Sequence, residues 1–461
     1  MDRTEISQKI YEKYILPTER KREEYIGIEI ELPIVNLKKE PVSFDLVHRI
    51  TEEFLQEFGF ETSGVDDEGH IYAALQRETG DILSYDCAYN NLELSLGKAK
   101  DIHTLKNRFE TYFSWLQKAF SREEHMLTGM GINPYRNYNH NVPIPNERYR
   151  MLFHHLASYT EYPQDLMEFH HYPTYGSFAS ASQVQLDFDK EQLIQAIRAF
   201  SRVEPVKAVL FSNSVMAEEE PEMLCCRDML WENSTHGINE KNIGMFQPIP
   251  ESLEELEDYL EATSLYCVMR DGKYVNFTPL SVMDYFASES VTGEFFDGNG
   301  YQKVEVVPEE TDLEYLRSFK FEDLTFRGTI EFRSVCCQPV SEAMTVAAFH
   351  LGLKQKLPEL DRLLAEDHVI YGHGYNGDEL RKLFNRRTWP EFADMDALYE
   401  LAENVVKLSE EGLKERNLGE EVYVKPLYER IRLRQNPAQN IWQTIDEGKD
   451  LETLIRSYGT L

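Results

Sequence analysis

Residues 25–33 read Tyr25-Ile26-Gly27-Ile28-Glu29-Ile30-Glu31-Leu32-Pro33. Apolar residues alternate with Gly27, Glu29 and Glu31, which predicts a strand with one apolar face and one face carrying two carboxylates. Successive side chains on a strand face stand roughly 7 Å apart. Two carboxylates at that spacing can point into one cavity and hold separate hard cations, or one cation and a polyphosphate. Gly27, on the same face, leaves room for a ligand to approach the backbone. Taken alone, the stretch equally describes a half-exposed strand with a solvated acidic face. Recurrence argues against that bland reading. Leu92-Glu93-Leu94-Ser95-Leu96, Gln183-Val184-Gln185-Leu186-Asp187-Phe188 and Thr329-Ile330-Glu331-Phe332-Arg333-Ser334 alternate in the same way.

Between these strands the periodicity predicts helices over about 2–22, 44–58, 102–122 and 191–211, and the chain turns helical from about 341 to its end. Residues 70–75 and 80–86, after the turn-rich Gly64-Val65-Asp66-Asp67-Glu68-Gly69, read as hairpin strands. Gly129-Met130-Gly131-Ile132-Asn133-Pro134 reads as a further strand edge and is no phosphate-cradling loop. The polar, acidic segment 288–310 reads as a flexible loop or lid. The adjacent pairs His154-His155 and His170-His171 point apart on any regular element and read as surface or core histidines rather than metal ligands. With no linker and no internal repeat, residues 1–461 read as one domain.

Composition bounds the function. Hydrophobic residues make up 42% of the chain, enough for a large core. The 81 acidic residues against 48 basic ones give a net charge of −33, which argues against nucleic acid or an anionic membrane as partner. A small anionic substrate stays compatible, because a few arginines and bound cations reverse the field locally. The charged start of the chain has no apolar signal region, and no apolar run is long enough to span a bilayer. The six cysteines match neither a zinc spacing nor a disulfide framework, so a cytoplasmic protein with reduced thiols is expected.

Collected on one face, Glu29, Glu31, Glu93, Gln183, Gln185, Glu331 and Arg333 would line a basin with oxygen ligands and a cation. Carboxylates and amides without a cysteine or histidine majority suit Mg2+, usually completed by nucleotide phosphates. That points to phosphoryl transfer, where positioning and charge neutralisation do most of the catalysis. Arg333 would neutralise the migrating phosphoryl group or clamp a carboxylate, with Arg227 and Arg327 as further candidates.

The same residues carry a family resemblance. Gly27-Ile28-Glu29-Ile30-Glu31, Leu92-Glu93-Leu94-Ser95, Gly129-Met130-Gly131, Gln183-Val184-Gln185-Leu186-Asp187, Phe211-Ser212-Asn213-Ser214, Cys226-Arg227 through Trp231, Glu331-Phe332-Arg333 and Asn436-Pro437-Ala438-Gln439-Asn440 resemble, in order, the motifs of the glutamate–cysteine ligases of plants and many bacteria. The resemblance implies an α+β fold related to glutamine synthetase: a curved, mostly antiparallel sheet forming a basin, with helices around it. It implies ATP-dependent activation of the γ-carboxylate of L-glutamate as an acyl phosphate, then attack by the amine of L-cysteine to give γ-glutamylcysteine. It implies ATP and Mg2+ as cofactors, with Glu29, Glu31, Glu93 and Glu331 as metal ligands. Gln183, Gln185 and Glu331 would contact nucleotide, and Arg227, Glu331 and Arg333 would act in catalysis. Small molecules, and neither nucleic acid nor membrane, are the implied partners.

Two positions depart from the family pattern. The usual carboxylate six residues before Glu93 is Cys87, with Asp86 one place away, so either Asp86 substitutes through a local bulge or one contact is lost. Gln185 stands where asparagine is usual. Both leave open a related ligase with another amine acceptor. A glycosidase-like hydrolase using Glu29 or Glu331, and a catalytically silent binding protein of the same fold, complete the alternatives.

Overall fold

The computed structural model describes residues 3–20 and 23–461. Fifteen strands and a larger set of helices form an α+β architecture. In chain order the strands are β1 (Ile26–Asn36), β2 (Glu61–Val65), β3 (Ile71–Gln76), β4 (Asp81–Tyr85), β5 (Asn91–Ala99), β6 (His125–Leu127) and β7 (Ser182–Asp187). They continue as β8 (Ile243–Gly244), β9 (Ser264–Arg270), β10 (Lys273–Ser281), β11 (Val291–Phe296), β12 (Tyr301–Val306), β13 (Phe319–Lys320), β14 (Glu322–Leu324) and β15 (Thr329–Phe332). The main sheet runs β14-β15-β7-β1-β5-β4-β3-β2, and β6 pairs with the far end of β1. Every pairing in it is antiparallel. A second antiparallel sheet, β12-β11-β10-β9, and the short parallel pair β8 and β13 complete the set.

One face of the main sheet is apolar, as the alternation requires. Ile26, Ile28, Ile30 and Leu32 of β1 are each at most 3% exposed, with Leu92, Leu94 and Leu96 of β5 beside them. Each such side chain contributes about 1.5–3 kcal/mol on burial. The helices Phe44–Phe58, Ile102–Ser121, Leu193–Phe211 and Thr345–Gln355 pack against strands of this sheet. Ser43 and Asp101 cap the first two, accepting from the backbone N–H of Leu46 and Thr104. The helices Thr345–Gln355 and Met395–Arg416 pack at close range through glycine. A Cβ on Gly352 would stand 2.1 Å from the Ser409 carbonyl oxygen.

Three sequence expectations are altered. The expected first helix is a short α-helix, Arg3–Ile10, continued by a π turn and a 3-10 turn to Glu19, while Asp2, Lys21 and Arg22 lie outside the described residues. Gly129 to Pro134 is no strand; a Cβ on Gly129 would meet the Gln338 carbonyl oxygen at 2.1 Å, so its glycine serves a close chain crossing. The segment 288–310 is mostly the β11–β12 hairpin, held on the helix Glu147–Ala157 by a His154–Tyr301 stack at 3.4 Å and a His154 Nε2–Glu294 contact of 2.9 Å. Its polar residues are the outward positions of a two-stranded ribbon, a pattern that composition alone does not separate from a loop. Among the described residues no helix is long and apolar enough to cross a membrane.

Candidate active site

Strand register brings the polar faces together. Ser84 lies opposite Glu93, and Glu93 opposite Glu31. In the next row Ser95 faces Glu29, and Glu29 faces Gln183. In the third, Gly27 faces Gln185, Gln185 faces Glu331, and Glu331 faces Asp323. Directly opposed residues share a sheet face, so all of these side chains rise from one floor. A one-residue slip in any strand would send its members into the core.

The two glutamines hold the acids apart. Gln183 Nε2 donates to Glu31 Oε1 at 2.9 Å, and the Ala181 N–H donates to Glu31 Oε2 at 2.7 Å. Gln185 Nε2 donates to both Glu29 Oε1 (3.0 Å) and Glu331 Oε1 (2.9 Å). Its own Oε1 accepts from Arg327 Nη2 at 2.9 Å. Arg333 Nη1 donates to Glu331 Oε2 at 2.7 Å. Arg227 enters from the helix Cys226–Glu232; its Nη1 donates to the Ser334 carbonyl at 3.3 Å and its N–H to Ser214 Oγ at 3.1 Å.

Two cavities adjoin on this floor. The inner one, about 420 Å³, takes in Glu29, Glu31, Asp86, Glu93, Gln183, Arg227 and Arg333. The outer one, about 820 Å³, is lined by Gly27, Glu29, Lys98, Gln185, Arg327 and the glycines Gly80 and Gly97. Glu29, Ile82 and Ser95 belong to both and mark the junction.

Carboxylate oxygens of Glu31, Asp86 and Glu93 all lie within 4.8 Å of one another. Asp86 sits at the end of β4, and Cys87 after it turns through φ +63°. Asp86 reaches the floor by the period of two, continuing the face of Ser84, and Cys87 beside it lines the same cavity. Burial first, and the crowding of like charges second, raise the pKa values of these acids. Glu31 is pushed up to about 8 by burial and then by Asp86, with Arg227 opposing. Burial and Asp86 push Glu93 up to about 7, and burial, Glu331 and Glu93 hold Glu29 well above the carboxylate range. A divalent cation among three oxygen donors would relieve this repulsion, and an all-oxygen set fits a hard ion. The donor set therefore fits Mg2+ at Glu31, Asp86 and Glu93. Glu29 and Glu331 flank the Gln185 amide instead, so the four acids expected to act together divide into two groups.

Several lining residues carried no sequence signal. Arg148, from the helix Glu147–Ala157, lines the inner cavity, and its charge opposes the upward shift of Asp86. Its side chain is reached by solvent inside the cavity although protein surrounds it. Asp323 is pushed up to about 7 by burial against the pull of Arg333. Beneath the floor, Arg381 is 4% exposed and bonds Asp228 and Glu204, and its Nη2 donates to the same Ser334 carbonyl as Arg227. Arg148 and Arg381 come from helices, and Asp323 from the three-residue strand β14, too short to show a period; only their closeness in space reveals them.

An antiparallel sheet with an acid-lined cavity on one face and helices on the other defines an α+β protein organised around a basin lined by carboxylates and arginines. The chain belongs to glutamate-cysteine ligase family 2, whose family model matches residues 25–457. It is similar to the chloroplastic glutamate–cysteine ligase of Solanum lycopersicum, 26% identical over 267 residues that cover 56% of this chain and 47% of the relative. The Brassica juncea enzyme is 24% identical over 321 residues, covering 68% and 57%. The chain thus spans about half the length of the curated relatives it matches. Among solved structures it is similar to a glutamate–cysteine ligase from Francisella tularensis in complex with AMP, with 11% identity, a TM-score of 0.45 and coverage of 95% of this chain and 88% of that one. A bifunctional glutathione synthetase from Pasteurella multocida gives 11%, 0.42, 98% and 53%.

Proposed function

We propose that the protein is an ATP-dependent ligase that joins the γ-carboxylate of L-glutamate to the amine of L-cysteine, giving γ-glutamylcysteine, ADP and phosphate. The observation that carries this reading is the convergence of Glu29, Glu31, Asp86, Glu93, Glu331 and Arg333 on one sheet face, with Arg227 reaching the same inner cavity from a helix, beneath two adjoining cavities. ATP would occupy the outer cavity, with Lys98 and Arg327 on its polyphosphate, Glu29 at the junction, and Gln185 and Glu331 bonded beside it. Glutamate would occupy the inner cavity with its carboxylates toward Arg227 and Arg333. Mg2+ at Glu31, Asp86 and Glu93, with Glu29 and Glu331 available to further ions, would supply neutralisation of phosphate charge.

In this reading Arg333 steers the γ-carboxylate oxygen onto the terminal phosphorus, and ADP leaves as the P–O bond to it breaks. The resulting acyl phosphate is attacked at carbon by the neutral amine, the C–N bond forms, and phosphate departs with its bonding electrons. The amine's surplus proton passes to a basic group or water. The walls of the inner cavity would shield the acyl phosphate from hydrolysis. Residues 1–461 would act as one cytoplasmic catalytic unit, its helical part from about 341 supplying Arg381 beneath the floor. ADP release and product mass, measured with ATP, glutamate and Mg2+ over a panel of amines, test the reading. ADP release that ignores glutamate, or no γ-glutamyl product with any amine, would overturn it.

A further inference from the structure

The inner cavity has two unlike linings. One is the carboxylate floor; the other is aromatic, made of Tyr149, Tyr175, Trp231, Phe319 and His236, with the rings of the last four packed on one another. None of these wall residues reaches the outer cavity. With nucleotide on the outer side and glutamate on the floor, the aromatic wall is the remaining approach for an amine.

Among the described residues two of these wall residues carry a buried polar atom without a partner, Tyr175 at its hydroxyl and His236 at Nε2, and of the two His236 is the one packed against both Phe319 and Trp231. It is 3% exposed, and its Nε2 has no hydrogen-bond partner among the described residues. Its ring lies 4.4 Å from that of Phe319 and 5.8 Å from that of Trp231, centroid to centroid. Behind it, 5.1 Å away, His155 is fully buried with neither ring nitrogen partnered, so the protein offers His236 nothing on that side either. Burial also holds the His236 imidazole neutral, with a pKa lowered to about 3. A neutral imidazole nitrogen in an apolar wall costs stability when left unpaired and discriminates strongly between ligands that can and cannot pair with it.

We propose that His236 determines acceptor specificity by hydrogen bonding the tip of the acceptor's side chain. The acceptor class is then a short α-amino acid ending in a thiol or hydroxyl, its methylene against Trp231 and Phe319 and its tip on Nε2. This assignment rests on the ligase reading above.

The test compares cysteine, serine and 2-aminobutyrate, in which a methyl group replaces the thiol. In the wild-type protein kcat/KM for cysteine exceeds that for 2-aminobutyrate by about tenfold or more. In His236→Phe the ratio falls toward one through a rise in the KM for cysteine, while the KM for glutamate stays put; His236→Gln restores part of the ratio. A ratio equal in wild type and His236→Phe overturns the role of His236 and leaves the ligase reading standing. No product with any amine ends both. Should His236→Phe fail to fold, 15N-histidine spectra of the wild-type protein give the same answer. The Nε2 resonance of His236 moves when cysteine is added with ADP, glutamate and Mg2+, and stays with 2-aminobutyrate; no movement with cysteine overturns the proposal.

Discussion

Arg381→Met should be among the most damaging single substitutions outside the cavities. The guanidinium donates to Asp228 Oδ2 at 2.7 Å and Oδ1 at 3.1 Å, to Glu204 Oε2 at 2.7 Å and to the Ser334 carbonyl at 3.3 Å. Without it Glu204 keeps its ion pair with Lys207, but Asp228 keeps only neutral donors, the Asn385 amide at 2.5 Å and the Cys225 thiol at 3.5 Å. One buried carboxylate thus loses its counter-charge, a change that costs about 3–5 kcal/mol. Removing the stranded charge as well, in Arg381→Met with Asp228→Asn, should recover more than half of that loss, since a buried ion pair and an apolar replacement differ little. Equilibrium urea unfolding of the two variants and the wild type measures both quantities. The reasoning fails if the single variant loses less than about 1 kcal/mol, or if the double variant is no more stable than the single. The same change removes one of the two donors that fix Ser334, next to Arg333. Turnover of the folded single variant should therefore fall by on the order of tenfold or more, through misplacement of Arg333 and Arg227.

Glu29→Gln and Glu331→Gln should each abolish turnover while leaving the unfolding midpoint at or above that of the wild type, because each removes a like charge from the floor; near wild-type turnover in both would count against the site. Asp86→Asn should weaken Mg2+ binding in calorimetry, and Cys87→Ala should not, if Asp86 has taken the family's carboxylate position. His350 is fully buried and its pKa lies well below the usual imidazole value, chiefly through burial. The unfolded chain takes up its proton near pH 6.5 and the folded one does not, so stability falls as pH drops below that point by about 1.4 kcal/mol per pH unit for this group. His350→Phe should flatten the loss between pH 6.5 and 5.5 by about 1 kcal/mol in urea titrations, the full slope being reached only at lower pH. Gly352→Ala, which drives a methyl group against the Ser409 carbonyl, should cost about 1–3 kcal/mol in thermal unfolding at constant pH.

The strands that build the floor were legible because their chemistry is periodic. Glu29, Glu31, Glu93, Gln185 and Glu331 each sit in an apolar–polar alternation, and a period of two fixes which residues share a face. What alternation cannot state is which strands become neighbours. The pairing of β15 with β7 and of β7 with β1 joins segments far apart in sequence, and only the ordered motifs hinted at it. Asp86 was half legible: its offset from the motif was visible, but that its carboxylate stands among those of Glu31 and Glu93 was not. Arg148, His236 and Arg381 were invisible, since a single polar residue on a helix or turn looks the same whether it faces water or a cavity. The hairpin at 291–306 was misread because its outward residues make it as polar as a loop.

Gln185 ties the two compartments to each other. Its nitrogen occupies the space between Glu29 and Glu331, while its oxygen is held by Arg327 at the mouth of the neighbouring chamber. A polyphosphate competing for Arg327 and a metal competing for the two acids would both release the same amide, each easing the other's entry. Nucleotide and divalent ion should therefore bind with positive linkage, and shortening this side chain to asparagine would cut the connection.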